Sequence, residues 1–204
     1  MNNKALASGI VIIMAILGAL ASCTNSPEPN PVPPLQVKEL PVTEDGLIEV
    51  NIPEILLGGK TAEEFYNSYS ANTEYQDLVT GLIVNNDGSI TMLLSPKKLE
   101  EYKQRIYYYS QFDKSFDVTS IKEVIYHDEY LVKITVLVDS SFYAQNGFEK
   151  QMCNSLLAAN AGMYQVMSGV PPDEWRTTIT IKDSLTSEIV SENEFPCKDM
   201  YRVY

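Results

Sequence analysis

The chain of 204 residues carries 27 acidic and 15 basic side chains, for a formal net charge of −12. This balance argues against a nucleic-acid partner, because nucleic acids are bound through basic surfaces. Hydrophobic residues make up 45% of the chain, which is enough for a packed core, and the length favours one folded domain.

Residues 1–22 are predicted to be a signal peptide. Met1–Lys4 carries one positive charge, and Ala5–Ala21 is apolar or small apart from one serine, a length typical of a signal peptide rather than of a spanning helix. Leu20-Ala21-Ser22-Cys23 then resembles the bacterial lipobox. This resemblance implies cleavage before Cys23 and a diacylglyceryl group on its sulfur. The alternative is a plain secretory signal followed by a chance cysteine.

Residues 23–41 are predicted to be the lipidated cysteine and a proline-rich linker. Thr24–Pro34 holds five prolines and almost no apolar bulk, as is typical of a polyproline-like spacer. Two acyl chains, such as palmitate, would anchor a protein stably to the cell membrane. We therefore expect a lipid-anchored protein on the extracytoplasmic face, with a net charge of −13 once Lys4 is removed.

Residues 42–204 are predicted to form a single domain that begins with a strand, a helix and a hairpin. The alternation in Leu47–Ile52 predicts the strand. Thr61 and Glu64 have the spacing of a capping box, which predicts a helix over 62–71. The hairpin pairs 78–84 with 89–94, because Asp87-Gly88 is a strong turn signal.

Ser95-Pro96 predicts the start of a second helix, with serine as the cap and proline in the first turn. Ser95 and Lys98 also match the S-x-x-K pattern of serine β-lactamases, but the other elements of that site are missing, so we interpret Ser95 as a cap. Tyr108 falls almost opposite the apolar face of this helix, with Tyr107 on its flank. These two tyrosines are candidate contacts for a ligand or partner.

The rest of the chain predicts a hairpin of 120–126 with 130–138, a helix over 143–167, and a hairpin of 175–182 with 189–195. Trp175 is a further candidate contact, with burial in the core as the alternative. Cys153 and Cys197 are a candidate disulfide, since cysteines outside the cytoplasm can be oxidised. His127 is the only histidine of the chain, so we predict no metal site and no cofactor.

The order β, α, ββ, α, ββ, α, ββ predicts an α+β fold. We expect an antiparallel or mixed sheet built from β-hairpins, with about three helices packed on one face.

Three stretches carry a resemblance to a known group of proteins. They are Ile52–Glu64, Val84–Thr91 and Ala161–Val170. Together they resemble cell-surface lipoproteins of unknown function from Gram-positive, often gut-dwelling, bacteria of the Firmicutes type. The resemblance implies a single displayed domain with a membrane anchor, and it implies no activity.

We therefore expect a membrane-anchored lipoprotein whose domain is not an enzyme and binds a protein, peptide or glycan. The alternative is a hydrolase directed at the cell wall or at peptides, with a site that the sequence does not reveal.

Overall fold

A computed structural model describes residues 34–72, 77–111, 119–144, 152–197 and 200. Its strands are β1 (Ile48–Ile52), β2 (Gly81–Val84), β3 (Ile90–Leu94), β4 (Ile121–Tyr126), β5 (Lys133–Val138), β6 (Thr177–Asp183) and β7 (Ile189–Phe195). Its longer helices are α1 (Ala62–Ser70), α2 (Pro96–Ser110) and α3 (Leu157–Met167). Glu54–Leu56 and Ser141–Ala144 form single helical turns, and Met152–Leu156 is a π-helical turn that leads into α3.

The α+β class is confirmed, with the strands divided between two sheets. The first sheet is antiparallel in the order β1-β3-β2, and the second has the order β4-β5-β6-β7. The second sheet is mixed, because β5 and β6 pair in parallel between two antiparallel hairpins. In the described part of the chain, helix α3 contacts β1 of one sheet, β6 of the other and helix α2. It therefore joins the two sheets in one core.

The capping residues predicted from the sequence mark the starts of the first two helices correctly. At the start of α1, the Thr61 side chain accepts a hydrogen bond from Glu64 N (3.2 Å), while the Glu64 carboxylate accepts one from Thr61 N (2.9 Å). At the start of α2, Ser95 Oγ accepts from Lys98 N (3.3 Å). This contact engages Ser95 as a cap, as the sequence predicts.

The turn that leads into β5 has an unusual backbone conformation. Leu131 has a φ of 58° in the turn before the strand, and its side chain is 1% exposed. Asp128 holds this turn, since its carboxylate accepts from the backbone N–H groups of Tyr130, Val132 and Lys133. The pairing of β4 with β5 has its own register shift, between Ile121 and Glu123.

The predicted helix over 143–167 is confirmed from Leu157 onward, after the π-helical turn; residues 145–151 lie outside the described residues. Gln165 connects α3 to Arg176, the residue just before β6, through two hydrogen bonds. Its amide is fully buried, donates to Arg176 O (2.8 Å) and accepts from Arg176 N (3.1 Å).

The last part of the predicted linker is folded onto the domain. Leu35 and Leu40 pack against the core, and Lys38 N donates to Gly169 O (2.8 Å). The predicted spacer is therefore shorter than residues 23–41.

Candidate functional site: a tyrosine surface

Three tyrosines from three separate elements meet at the surface of the domain. The ring of Tyr107, on α2, lies 5.5 Å from that of Tyr126, at the end of β4, and 6.1 Å from that of Tyr164, on α3. These centroid distances are those of favourable tilted aromatic pairs. We call Tyr107, Tyr126 and Tyr164, together with Tyr108, the tyrosine surface.

Helix α2 presents the two exposed tyrosines because its apolar face is taken up by the core. Leu99 and Ile106 are 6% and 7% exposed, whereas Tyr107 and Tyr108 are 37% and 49% exposed. At about 100° per residue, Tyr107 follows Ile106 onto the flank and Tyr108 turns further outward. The Tyr108 ring also makes an edge contact with Tyr109, at 5.6 Å between centroids.

Contacts with neighbouring elements position the other two members of the surface, Tyr126 and Tyr164. The Tyr126 hydroxyl donates to the carbonyl oxygen of Ser110 at the end of α2, which fixes the β4–β5 hairpin to that helix. Tyr164 lies under the ammonium group of Lys103, 5.9 Å from the ring centroid. Both rings are half-buried, so the surface has a rigid inner part and a more exposed outer part.

Charge around the surface is mixed. Lys103 Nζ also pairs with Glu100 Oε1 (3.1 Å), and Arg105 lies 5.8 Å from the ring of Tyr109. At the neighbouring turn, burial, together with the Glu129 carboxylate, raises the pKa of the Tyr130 hydroxyl. The Tyr130 hydroxyl is hydrogen-bonded to this carboxylate.

Trp175 is buried, which corrects its place among the candidate contacts. Its side chain is 2% exposed, and the indole packs where Gly162 leaves room on helix α3. A side chain so deeply buried cannot touch a partner at the surface. The aromatic residues that sequence reasoning missed are Tyr126 and Tyr164, because the signal that brings them beside Tyr107 is the packing of three elements distant in the chain.

The remaining candidates have structural roles or lie outside the described residues. His127 Nε2 lies 2.9 Å from Thr135 Oγ1, across the β4–β5 hairpin. In the described ranges, no group of three or more His, Cys, Asp and Glu side chains is arranged to hold a metal ion. Cys23, the candidate lipid-attachment residue, lies outside the described residues, as does the signal peptide.

The two cysteines of the domain lie in segments that contact each other. Cys153 is fully buried and carries a thiol in the structure, and Cys197, just after β7, is half-buried. Asn193 Nδ2 donates to Asn154 Oδ1 (3.2 Å), so the π-helical turn lies against the last strand. Because Cys153 carries a thiol, the structure does not show the predicted disulfide between Cys153 and Cys197.

Among the residues that the structure describes, no helix is both long enough and apolar enough to cross a membrane. Comparisons of the chain with protein-family models, with curated proteins and with solved structures find no match.

Proposed function

We propose that the chain is a lipoprotein anchored to the cell membrane through acyl chains on Cys23, and that its extracytoplasmic domain binds a protein, peptide or glycan without catalysing a reaction. The observation that carries the binding role is the tyrosine surface, in which Tyr107 contacts Tyr126 and Tyr164 while Tyr108 stands exposed beside them. Aromatic rings held in place by packing give large contact area at little entropic cost.

The anchor is supported by the order of segments in the sequence. A short apolar segment ends at the lipobox Leu20–Cys23, and a proline-rich stretch separates it from the domain. The resemblance to surface lipoproteins of Gram-positive bacteria agrees with this arrangement. Anchored in this way, the domain would meet only partners that lie outside the membrane and within the reach of the spacer.

The anchor is tested by metabolic labelling with an alkyne-bearing palmitate in a Gram-positive host. The wild-type chain should take up the label and fractionate with membranes, whereas Cys23→Ala should lose the label. A wild-type chain that stays unlabelled and appears free in the medium would contradict the anchor, whatever the domain binds.

The binding role is tested by photocrosslinking on intact cells. Replacement of Tyr108 by p-benzoylphenylalanine places a reactive group on the tyrosine surface, and the same replacement at Tyr66 is the matched control. Tyr66 is 40% exposed on helix α1 and does not belong to the tyrosine surface. We expect a defined adduct from position 108 that is absent from position 66, with its mass distinguishing protein, peptide and glycan.

Two results would contradict the binding role. The first is an identical adduct pattern from both positions, and the second is no adduct from position 108. Substitution of Tyr107 by Ala should weaken the adduct at position 108 about tenfold, since loss of a well-packed aromatic contact costs about 1–2 kcal/mol.

A further inference from the structure

A second candidate site is the cleft between the N-terminal segment Lys38–Pro41, strand β1 and the end of helix α3. Its volume is about 360 Å³, within the size range of small-molecule sites. Two hydrogen bonds hold the segment in place, from Lys38 N to Gly169 O (2.8 Å) and from Glu49 N to Pro41 O (2.9 Å).

Gly169 is required for this arrangement. Its φ of +93° is in the left-handed region, and a β-carbon added there would overlap the carbonyl oxygen of Lys38. The end of α3 and the N-terminal segment can therefore approach closely enough to form one wall.

The cleft is lined by both apolar and polar residues. The apolar side chains that line it are Leu40, Pro41, Val166, Val170, Pro171 and Pro172. The polar groups come from the outer face of the first sheet, where Asn51 is the register partner of Thr91 and Glu49 precedes Asn51 by two residues on the same face. Thr91 Oγ1 accepts from Asn85 Nδ2 (3.0 Å), so its own O–H can donate elsewhere.

The electrostatics of the cleft favour a cation. Glu49 is half-buried and has no ion-pair partner among the described residues, and the one lysine of the cleft, Lys38, lies 3.8 Å from Glu174. Glu39 adds another carboxylate to the lining. Helix α3 also ends here, and the C-terminal end of a helix carries partial negative charge.

We infer that this cleft binds a small ligand that carries a primary ammonium group. Glu49 is the counter-ion of the ammonium, Asn51 and Thr91 hydrogen-bond to polar groups next to it, and the proline walls contact the carbon skeleton. Amino sugars and the free amines of short peptides share this chemistry. The site is separate from the tyrosine surface and does not depend on the proposed function.

Saturation-transfer NMR with the full chain in detergent micelles tests the inference. The probes are D-glucosamine and L-alanyl-L-alanine amide, each compared with its N-acetylated form, which lacks the charge. We expect the amines to bind and the acetylated forms to bind about tenfold more weakly, because a charge-assisted hydrogen bond is lost. Binding of D-glucosamine alone points to an amino sugar, and binding of L-alanyl-L-alanine amide alone points to the free amine of a peptide. Binding of both shows that the site recognises the ammonium group in either class.

Glu49→Gln should weaken amine binding by a similar factor. Its matched control, Glu194→Gln on the exposed side of β7, should bind as the wild type does. The comparison of free with acetylated probes on the wild-type chain holds even if Glu49→Gln folds poorly.

Three results would overturn the inference: no binding of either amine at about 10 mM, equal binding of the acetylated forms, or unchanged binding by a folded Glu49→Gln. The photocrosslinking at position 108 reports on the tyrosine surface alone, so the two proposals fail separately.

Discussion

A β-carbon added at Gly162 would lie 2.7 Å from Cε3 of Trp175 and 2.8 Å from Cδ2 of Leu56. Real β-carbons essentially never approach other atoms so closely, so alanine at this position would push the indole or the helix aside. The missing side chain of Gly162 therefore sets the distance between α3 and the buried Trp175.

We predict that Gly162→Ala lowers the free energy of unfolding by about 1–2 kcal/mol. Overpacking costs about 1–3 kcal/mol, and the better helix propensity of alanine returns up to about 1 kcal/mol. Urea denaturation measures the change. Gly81→Ala is the control, because its nearest atom is the flexible end of Leu93 at 3.3 Å, and it should change stability by less than about 0.5 kcal/mol. A Gly162→Ala variant as stable as the wild type would contradict this account.

At the same scale, the sequence placed Tyr108 on the outside of its helix but could not decide between surface and core for Trp175. Tyr108 belongs to a helix whose apolar face is visible in the spacing, so its direction follows from periodicity. Trp175 precedes a strand, and its burial depends on the space that Gly162 leaves on a different element. A local pattern carries no information about that space.

At the scale of elements, Asp139 connects the end of β5 to strand β4 and to the helical turn that begins at Ser141. Its carboxylate lies 2.6 Å from Lys122 Nζ on β4 and accepts from the backbone N–H of Ser141 (2.8 Å). The hydrogen bonds from Lys122 and Ser141 lower the pKa of Asp139 to about 2. The folded state thus binds this proton less readily than the unfolded state, in which the pKa is near 4.

This shift predicts an acid-dependent contribution to stability. A carboxylate whose pKa is lowered by folding stabilises the protein above about pH 4 and loses that contribution as the pH falls toward 2. We therefore expect the stability difference between the wild type and Asp139→Asn to be full at pH 6 and to shrink between about pH 4 and pH 2. Denaturant unfolding across this range measures it.

Lys122→Gln is the matched variant for this contact. It should remove part of the same acid dependence, because it takes away the largest cause of the lowered pKa. A stability difference for Asp139→Asn that stays constant from pH 6 to pH 2 would show that the contact does not act through ionisation.

Some elements of the fold follow from sequence signals only a few residues apart, whereas one strand pairing does not. The three hairpins and the first two helix starts follow from turn and cap residues a few positions apart, and all were predicted from the sequence. The parallel pairing of β5 with β6 joins Lys133–Val138 to Thr177–Asp183 across the intervening helix. No short sequence pattern encodes such a pairing, because it forms only when α3 brings the two hairpins side by side.

At the scale of the whole molecule, the anchor and the cysteines constrain each other. The chain has three cysteines, and a sulfur that carries a diacylglyceryl group cannot also form a disulfide. If Cys23 is lipidated, the one intrachain disulfide left open is Cys153 with Cys197, and the structure has Cys153 as a thiol. The two proposals about the cysteines can therefore be tested in one experiment.

We predict that peptide mapping of the alkylated, non-reduced protein recovers an N-terminal peptide with diacylglyceryl-modified Cys23. The same map separates an alkylated Cys153, which its thiol in the structure implies, from a Cys153 linked to Cys197. Cys153→Ser should leave the lipid on Cys23 in place. A peptide that links Cys23 to Cys197 would exclude the lipid at Cys23 and contradict the anchor.

The sequence by itself determined the α+β class, most strand and helix positions and the outward direction of Tyr108, because periodicity and capping act within one or two turns of the chain. It predicts the compartment in the same way, from the contiguous segment that ends at Cys23. The tertiary structure alone decided the split into two sheets, the burial of Trp175, the meeting of Tyr107 with Tyr126 and Tyr164, and the cleft at Glu49. Each of these depends on contacts between residues far apart in sequence, and only the packed core fixes those distances.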